Sequence, residues 1–204
     1  MGVRLQKLDV VVVGRFNPHI ITPAWLADQG VCARADAEML FGFDVQGRQG
    51  IFRFSVDGHQ WNVTDTRLII SSSDPDEHAA SKAAAVILKL PHTPISAVGH
   101  NFHYECDRQH WKGAQPQLGD IDFEKLQNHG TAQSVSWTCT IEQSGGLVCK
   151  LTFNETRDAI DVHSNLHRDV KNADEALQIC KLFRTDLELS NKLVNTLAGE
   201  EAYP

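Results

Sequence analysis

Four side chains able to ligate a metal, or to act as a nucleophile with its base, crowd the middle of the chain: His100, His103, Cys106 and His110. Imidazoles and thiolates are the usual zinc ligands, and Cys beside His is a thiol nucleophile with its base. Their spacing works against both. From Ile95 to Asp107 the even positions Val98, Phe102, Tyr104 and Cys106 are mostly apolar, while Asn101, His103 and Glu105 are polar. That alternation predicts a strand, on which 100 and 103 point to opposite faces. His163 and His167 share a face but stand about 13 Å apart at ~3.3 Å per residue, too far for one ion. The expectation is no metal and no cofactor. Paired carboxylates for acid–base work could come from Glu105, Glu142 and Asp161 only if the sheet brings them together. No GxSxG, HExxH, P-loop or GxGxxG motif occurs. A hydrolase or metal-dependent enzyme using region 100–110 stands as one alternative reading.

The same parity argument defines a larger surface. If a helix covers the apolar side of the second-half strands, the other side presents Asn101, His103, Glu105, Thr138, Thr140, Glu142, Lys150, Thr152, Asp161, His163 and His167. Antiparallel sheets commonly leave one face to solvent, and such a face can also receive a partner. The favoured reading is a non-enzymatic binding or adaptor module, with these residues as its candidate binding face and no catalytic residues.

The elements that must position this face repeat. Val10 to Phe16 and Ala97 to Phe102 are each an apolar run entering Val-Gly, one or two polar residues and Phe. Thr22 and Pro23 start a short helix, ended by Gly30, with Trp25 on its inner side. Trp111 stands at a similar place after the second run. Two hairpins follow, at Gln46 to Gly50 and at Gln143 to Gly146, and then Asp57-Gly58, a tight-turn signal. Val45 to Ile51 and Ile141 to Leu147 enclose turns of equal length. The two return strands differ in which parity is apolar, which a bulge in one copy would explain. Gln60 to Thr64 and Arg67 to Ser71 read as two short strands or one bent strand. Asp74, Pro75 and Glu77 announce a helix with an Ala80, Ala83, Ala84, Ile87 and Leu90 stripe. Asn172 and Glu175 announce a long last helix with Ala176, Leu177, Cys180, Phe183, Leu187, Val194 and Leu197 inward. Residues 108–131 read as irregular, with a short helix capped by Asp120. The expected fold class is α+β. Residues 1–92 and 93–204 form two duplicated strand-helix-antiparallel meander-helix units within one compact pseudo-symmetric domain. Their strands make two sheets or one continuous curved antiparallel sheet, with helices on one face.

This order of elements, and the passage Leu68-Ile69-Ile70-Ser71-Ser72 through Glu77 into the Ala-rich helix to Leu90, resembles the TATA-binding-protein-like fold. The resemblance implies a saddle with long helices above and a bare sheet face below that grips DNA. Nucleic-acid binding through that face is the other alternative. The family's paired Phe wedges and Lys/Arg stripe have no match on the expected open face, so the resemblance carries architecture and no functional residue.

Composition sets the remaining expectations. A chain of 204 residues with 42% hydrophobic and 22% charged residues can bury roughly 70% of its unfolded surface without a staple. Nineteen Lys and Arg against 26 Asp and Glu give a net charge of −7, which disfavours phosphate backbones unless a basic patch overrides it. Cys32, Cys106, Cys139, Cys149 and Cys180 are odd in number and widely spaced, as for unpaired buried thiols in a reducing compartment. With no leader-like pattern and no apolar run long enough for a span, the expectation is a cytoplasmic protein without membrane contact. Its expected partner is a protein, or a second copy in a homodimer through an exposed sheet edge.

Overall fold

The computed structural model describes residues 2–33, 38–44, 49–74, 77–113, 135–156 and 159–199. Among these residues nine strands make one antiparallel sheet. They are β1 (Arg4–Gly14), β2 (Glu38–Asp44), β3 (Gln49–Val56), β4 (His59–Val63), β5 (Arg67–Ser72), β6 (Ile95–Asp107), β7 (Val135–Glu142), β8 (Val148–Glu155) and β9 (Ala159–Asp169). The order across the sheet is β2-β3-β4-β5-β1-β6-β9-β8-β7. The helices are α1 (Pro23–Asp28), α2 (His78–Lys89), α3 (Ala173–Lys181) and α4 (Phe183–Ala198). The fold is α+β, and of the two expected sheet arrangements it takes the continuous one. β1 and β6, the opening strands of the two halves, pair at its centre.

Local sequence explains the elements. Thr22 Oγ1 accepts from the Trp25 backbone N–H at 3.2 Å and Pro23 occupies the first turn of α1, as expected. Leu26, not Trp25, is the fully buried anchor of that helix; Trp25 is half-buried. The β3–β4 turn is Asp57-Gly58, both at positive φ (50° and 72°), which a Gly tolerates without cost. β4 and β5 are separate strands, closed by a turn in which Thr64 Oγ1 accepts from the Arg67 N–H at 2.9 Å. α2 begins at His78, with Glu77 as its cap residue and no side-chain cap bond, later than Asp74 promised. Asp74 instead donates its backbone N–H to Ser72 Oγ at 3.0 Å, a local turn that competes with helical extension. The expected Pro75 position, the residues of the first hairpin turn at 45–48 and the expected helix at Asp120 lie outside the described residues.

The two hairpins β2–β3 and β7–β8 pair without a register shift. The shifts lie instead in β1–β6, between Leu5 and Lys7 and between Val13 and Gly14, so among the described residues neither return strand carries a bulge. At the second shift a Cβ on Gly14 would stand 2.5 Å from the Pro94 carbonyl oxygen, so only Gly fits where β1 meets the start of β6. Gly99, its counterpart in the repeated Val-Gly pattern, would meet nothing closer than 3.5 Å. The shared dipeptide therefore answers a steric need in one half only.

One side of the sheet carries the core. Leu8, Val10, Val12, Leu68, Ile70, Phe102, Leu151, Phe153 and Leu166 are all buried. α2 packs on β1 and β5, α3 on β6, and α4 on β6 and β9, with α2 and α3 also in contact. The last helix expected from Asn172 is two helices, α3 and α4, divided at Leu182. Asn172 caps α3 by accepting from the Glu175 N–H at 2.9 Å, and Glu175 Oε2 accepts from the Lys171 N–H at 2.8 Å. The apolar stripe predicted for this run omits its two deepest polar members, Asp186 and Ser190, exposed by 1% and 0%.

Those two register α4 on β6. Arg168 donates both guanidinium arms to Asp186, each at 2.7 Å, and His100 Nδ1–H donates to Asp186 Oδ2 at 2.7 Å. One turn on, Tyr104 donates to Ser190 Oγ at 2.8 Å. Burial alone would raise the Asp186 carboxyl, but the bonds from Arg168 and His100 outweigh it and hold it below the usual carboxylate range. Removing one partner of a buried ion pair strands a charge and costs about 3–5 kcal/mol, whereas replacing the whole set by apolar groups can be near neutral. Arg168→Ala is therefore expected to lower stability by about that much in urea unfolding. The triple change Arg168→Met, Asp186→Leu, His100→Phe is expected to cost less than the single one.

Candidate helix-free sheet face

The side chains that alternate with the core point away from α2, α3 and α4. On the central strands this gives Lys7 and Asp9 from β1, Asn101, His103 and Glu105 from β6, and Asp161, His163, Asn165 and His167 from β9. The ladder registers them in rows. Lys7, His103, His163, Thr152 and Thr138 form one row. Ser55, Gln60, Ser71, Asp9, Asn101, Asn165, Lys150 and Thr140 form the next, with one polar residue from each of eight neighbouring strands.

Within these rows the side chains bond to one another. Asp9 Oδ1 accepts from Lys7 Nζ at 3.0 Å and from the Ser71 hydroxyl, while Oδ2 accepts from His103 Nε2–H at 2.9 Å. His103 stacks on His163, with ring centroids 4.4 Å apart and planes inclined by 6°. Asn165 donates its amide to Asn101 Oδ1, and His167 Nδ1–H donates to Asn165 Oδ1 at 3.1 Å. Asp9 and Asn101 are only 8% and 9% exposed, although among the described residues no helix packs over them. Neighbouring side chains provide that cover.

The electrostatics follow. Burial pushes the Asp9 carboxyl up, but the hydrogen bonds from His103, Ser71 and Lys7 together outweigh it and bring it from 3.8 to about 2. Desolvation first, and then the neighbouring His103, hold the His163 imidazole below its ordinary range.

The remaining residues expected on this face are placed as follows. Glu105 accepts from Gln6 Nε2 at 3.0 Å and lies 3.8 Å from Arg4. Thr138 and Thr152 hydroxyls meet at 3.3 Å. Thr140, Glu142, Lys150 and Asp161 are exposed. Asp161 lies between Asn154 and Glu105 in register, and Glu142 stands at the far end of β7 opposite Val148. His100, His103, Cys106 and His110 do not converge. His100 is fully buried on the helix side against Asp186, and Cys106 is buried. His103 faces Asp9, and His110 is exposed, 3.5 Å from Asp107. Among the described residues no group of three or more His, Cys, Asp or Glu could hold a metal ion. Cys32, Cys149 and Cys180 are buried like Cys106, and Cys139 is half-buried.

Two hollows flank the ladder. One, of ≈ 440 Å³, lies over β1, β3, β4 and β5 and is lined by Lys7, Asp9, Arg53, Ser55, Gln60, Asn62 and Ser71, among others. The other, of ≈ 330 Å³, is lined by Gln6, His103, Glu105, Asn154, Asp161 and His163, among others. Asp9, Lys7 and Ser71 also belong to this face, although parity in the second-half strands does not reach them. Applying it to Leu8, Val10 and Val12 turns Lys7 and Asp9 to the same open face.

A carboxyl depressed on folding stabilises the protein above its unfolded value of 3.8, and that stabilisation is lost as the pH falls toward 2. Asp9→Asn removes the linkage. Wild type is expected to lose about 2 kcal/mol more than this variant between about pH 5 and pH 2, read from urea midpoints at each pH. No protein-family model matches the chain and no curated protein matches it, so the chemistry of this face has to be read from its own side chains.

Proposed function

We propose that the chain is a binding or adaptor module whose helix-free sheet face receives a polar partner, a protein or a ligand, without carrying out a reaction. The observation that carries this reading is the Asp9–His103–His163 ladder and its Asn101–Asn165–His167 neighbour. They fix polar side chains across the three central strands before any ligand arrives, with a hollow on either side. Fixed side chains lose less freedom on association, which favours recognition.

The same reading treats residues 1–92 and 93–204 as two copies of one unit joined in a saddle of the TATA-binding-protein-like kind. In support, β1 pairs with β5 and β6 with β9, so each opening strand joins the last strand before a long helix. No helix among the described residues is long and apolar enough to cross a membrane, and the reading places the module in the cytoplasm with a protein partner or a second copy. The face carries Lys7, Arg53 and Lys150, but also Asp9, Glu105, Glu142 and Asp161, a mixture that suits a partner of both charge signs better than a phosphate backbone.

The test is a joint His103→Ala, Lys150→Ala, His163→Ala variant, set beside Leu88→Ser, which alters an exposed residue of α2. Quantitative capture from cells is expected to lose a defined set of partners with the first variant and keep it with the second. Unchanged capture by the triple variant removes the reading. A duplex oligonucleotide held at low salt and released as salt rises would assign the face to nucleic acid instead.

A further inference from the structure

We propose that the hollow over β1, β3, β4 and β5 is a binding site for a small anion that also carries hydroxyl or amide groups. This deepens the reading of the helix-free face as a binding surface and rests on it. The volume, ≈ 440 Å³, falls in the range of small-molecule sites.

Charge gives the sign of the ligand. The chain carries a net −7, yet the ionic side chains lining this hollow are Lys7, Arg53 and Asp9. Asp9 is already engaged, because its oxygens accept from Lys7, Ser71 and His103. An ammonium has three donors, so Lys7 keeps two after serving Asp9. Arg53 is exposed at the hollow, and its planar fork matches a carboxylate or phosphate. The hollow beyond the ladder has the opposite bias, with Glu105 and Asp161 in its lining.

Hydrogen bonding gives the rest of the ligand. Gln60 stands opposite Ser55, and Asn62 stands opposite Arg53, on β4 and β3. Amides and hydroxyls both donate and accept, as ligand hydroxyls require. Asn62 Oδ1 is buried and has no hydrogen-bond partner among the described residues, a deficit that a ligand N–H or O–H can fill. A bare anion would leave these groups unused, and a neutral polyol would leave Arg53 unused.

Calorimetric titration of the full chain with gluconate, sorbitol and acetate separates these contributions. Gluconate, with charge and hydroxyls, is expected to bind; sorbitol and acetate, each with one of the two, are expected to bind about tenfold more weakly or worse. Arg53→Ala is expected to weaken gluconate about tenfold or more while leaving the thermal midpoint unchanged, and Leu88→Ser, on the exposed side of α2, is expected to leave gluconate binding within about twofold. Absence of gluconate binding, equal binding of sorbitol, or full binding by Arg53→Ala overturns the proposal. If gluconate fails while the His103, Lys150 and His163 variant still loses its partners, only this ligand class falls. If both fail, the binding reading falls with it.

Discussion

The Asp186 carboxylate, buried between Arg168 and His100, decides which side of this sheet is the inside. A charge taken out of water must find its hydrogen bonds within the protein. Here they come from two adjacent central strands, β6 and β9, and both donors sit at even positions. α4 can satisfy Asp186 only by lying on the even side of β6. The Tyr104–Ser190 bond a turn later fixes its direction along the strand. Apolar packing alone specifies such a placement less sharply, since Leu and Val surfaces tolerate sliding and ion pairs do not. With α4 in place, every odd position of β6 and β9 is committed to the opposite face, His103 and His163 included. The polar ladder there is a consequence of the polar clamp on the other side.

The first half achieves the same outcome by different means. α2 buries Ala79, Ala80, Ala83, Val86 and Ile87 against β1 and β5, with no buried ion pair at its centre among the described residues. Small side chains let the helix approach the sheet closely, and shape rather than charge sets its position. Helices on the two sides of the sheet centre are thus held by different chemistry. The same contrast appears in the two Val-Gly sites, where Gly14 is required by the Pro94 carbonyl and Gly99 is not.

Much of this layout is legible in the sequence because strand parity and helix caps are local signals. Thr22 and Asn172 cap the helices assigned to them, and Val98, Phe102, Tyr104 and Cys106 face inward together. The sequence misleads where a residue's role depends on a distant partner. Asp186 and Ser190 sit among charged and polar neighbours and read as surface, since nothing near them announces Arg168 or Tyr104. Leu182 divides the final helix although the apolar spacing runs on. Asp74 looks like a cap but is drawn into a turn with Ser72. For the candidate face, the odd residues of β6 to β9 could be named from parity. Asp9 could not be tied to His103 without knowing that β1 and β6 are neighbours, a fact of topology that no short stretch encodes.

That neighbour relation also determines what kind of surface the open face is. A solvated sheet face normally leaves its polar side chains to water, each free to rotate. Here Asp9 and Asn101 are within a tenth of full burial among the side chains bonded to them, and His103 is stacked as well as bonded. Side chains held this way have already lost the rotamer freedom that association would otherwise remove, roughly 0.5–1.5 kcal/mol for each one immobilised. The outer members of the same row, Gln60, Ser55, Lys150 and Thr140, remain exposed and adaptable. The face therefore combines a rigid centre with a compliant margin, and on the proposed reading the centre sets register while the margin, with Arg53 at one side, sets which ligand is accepted.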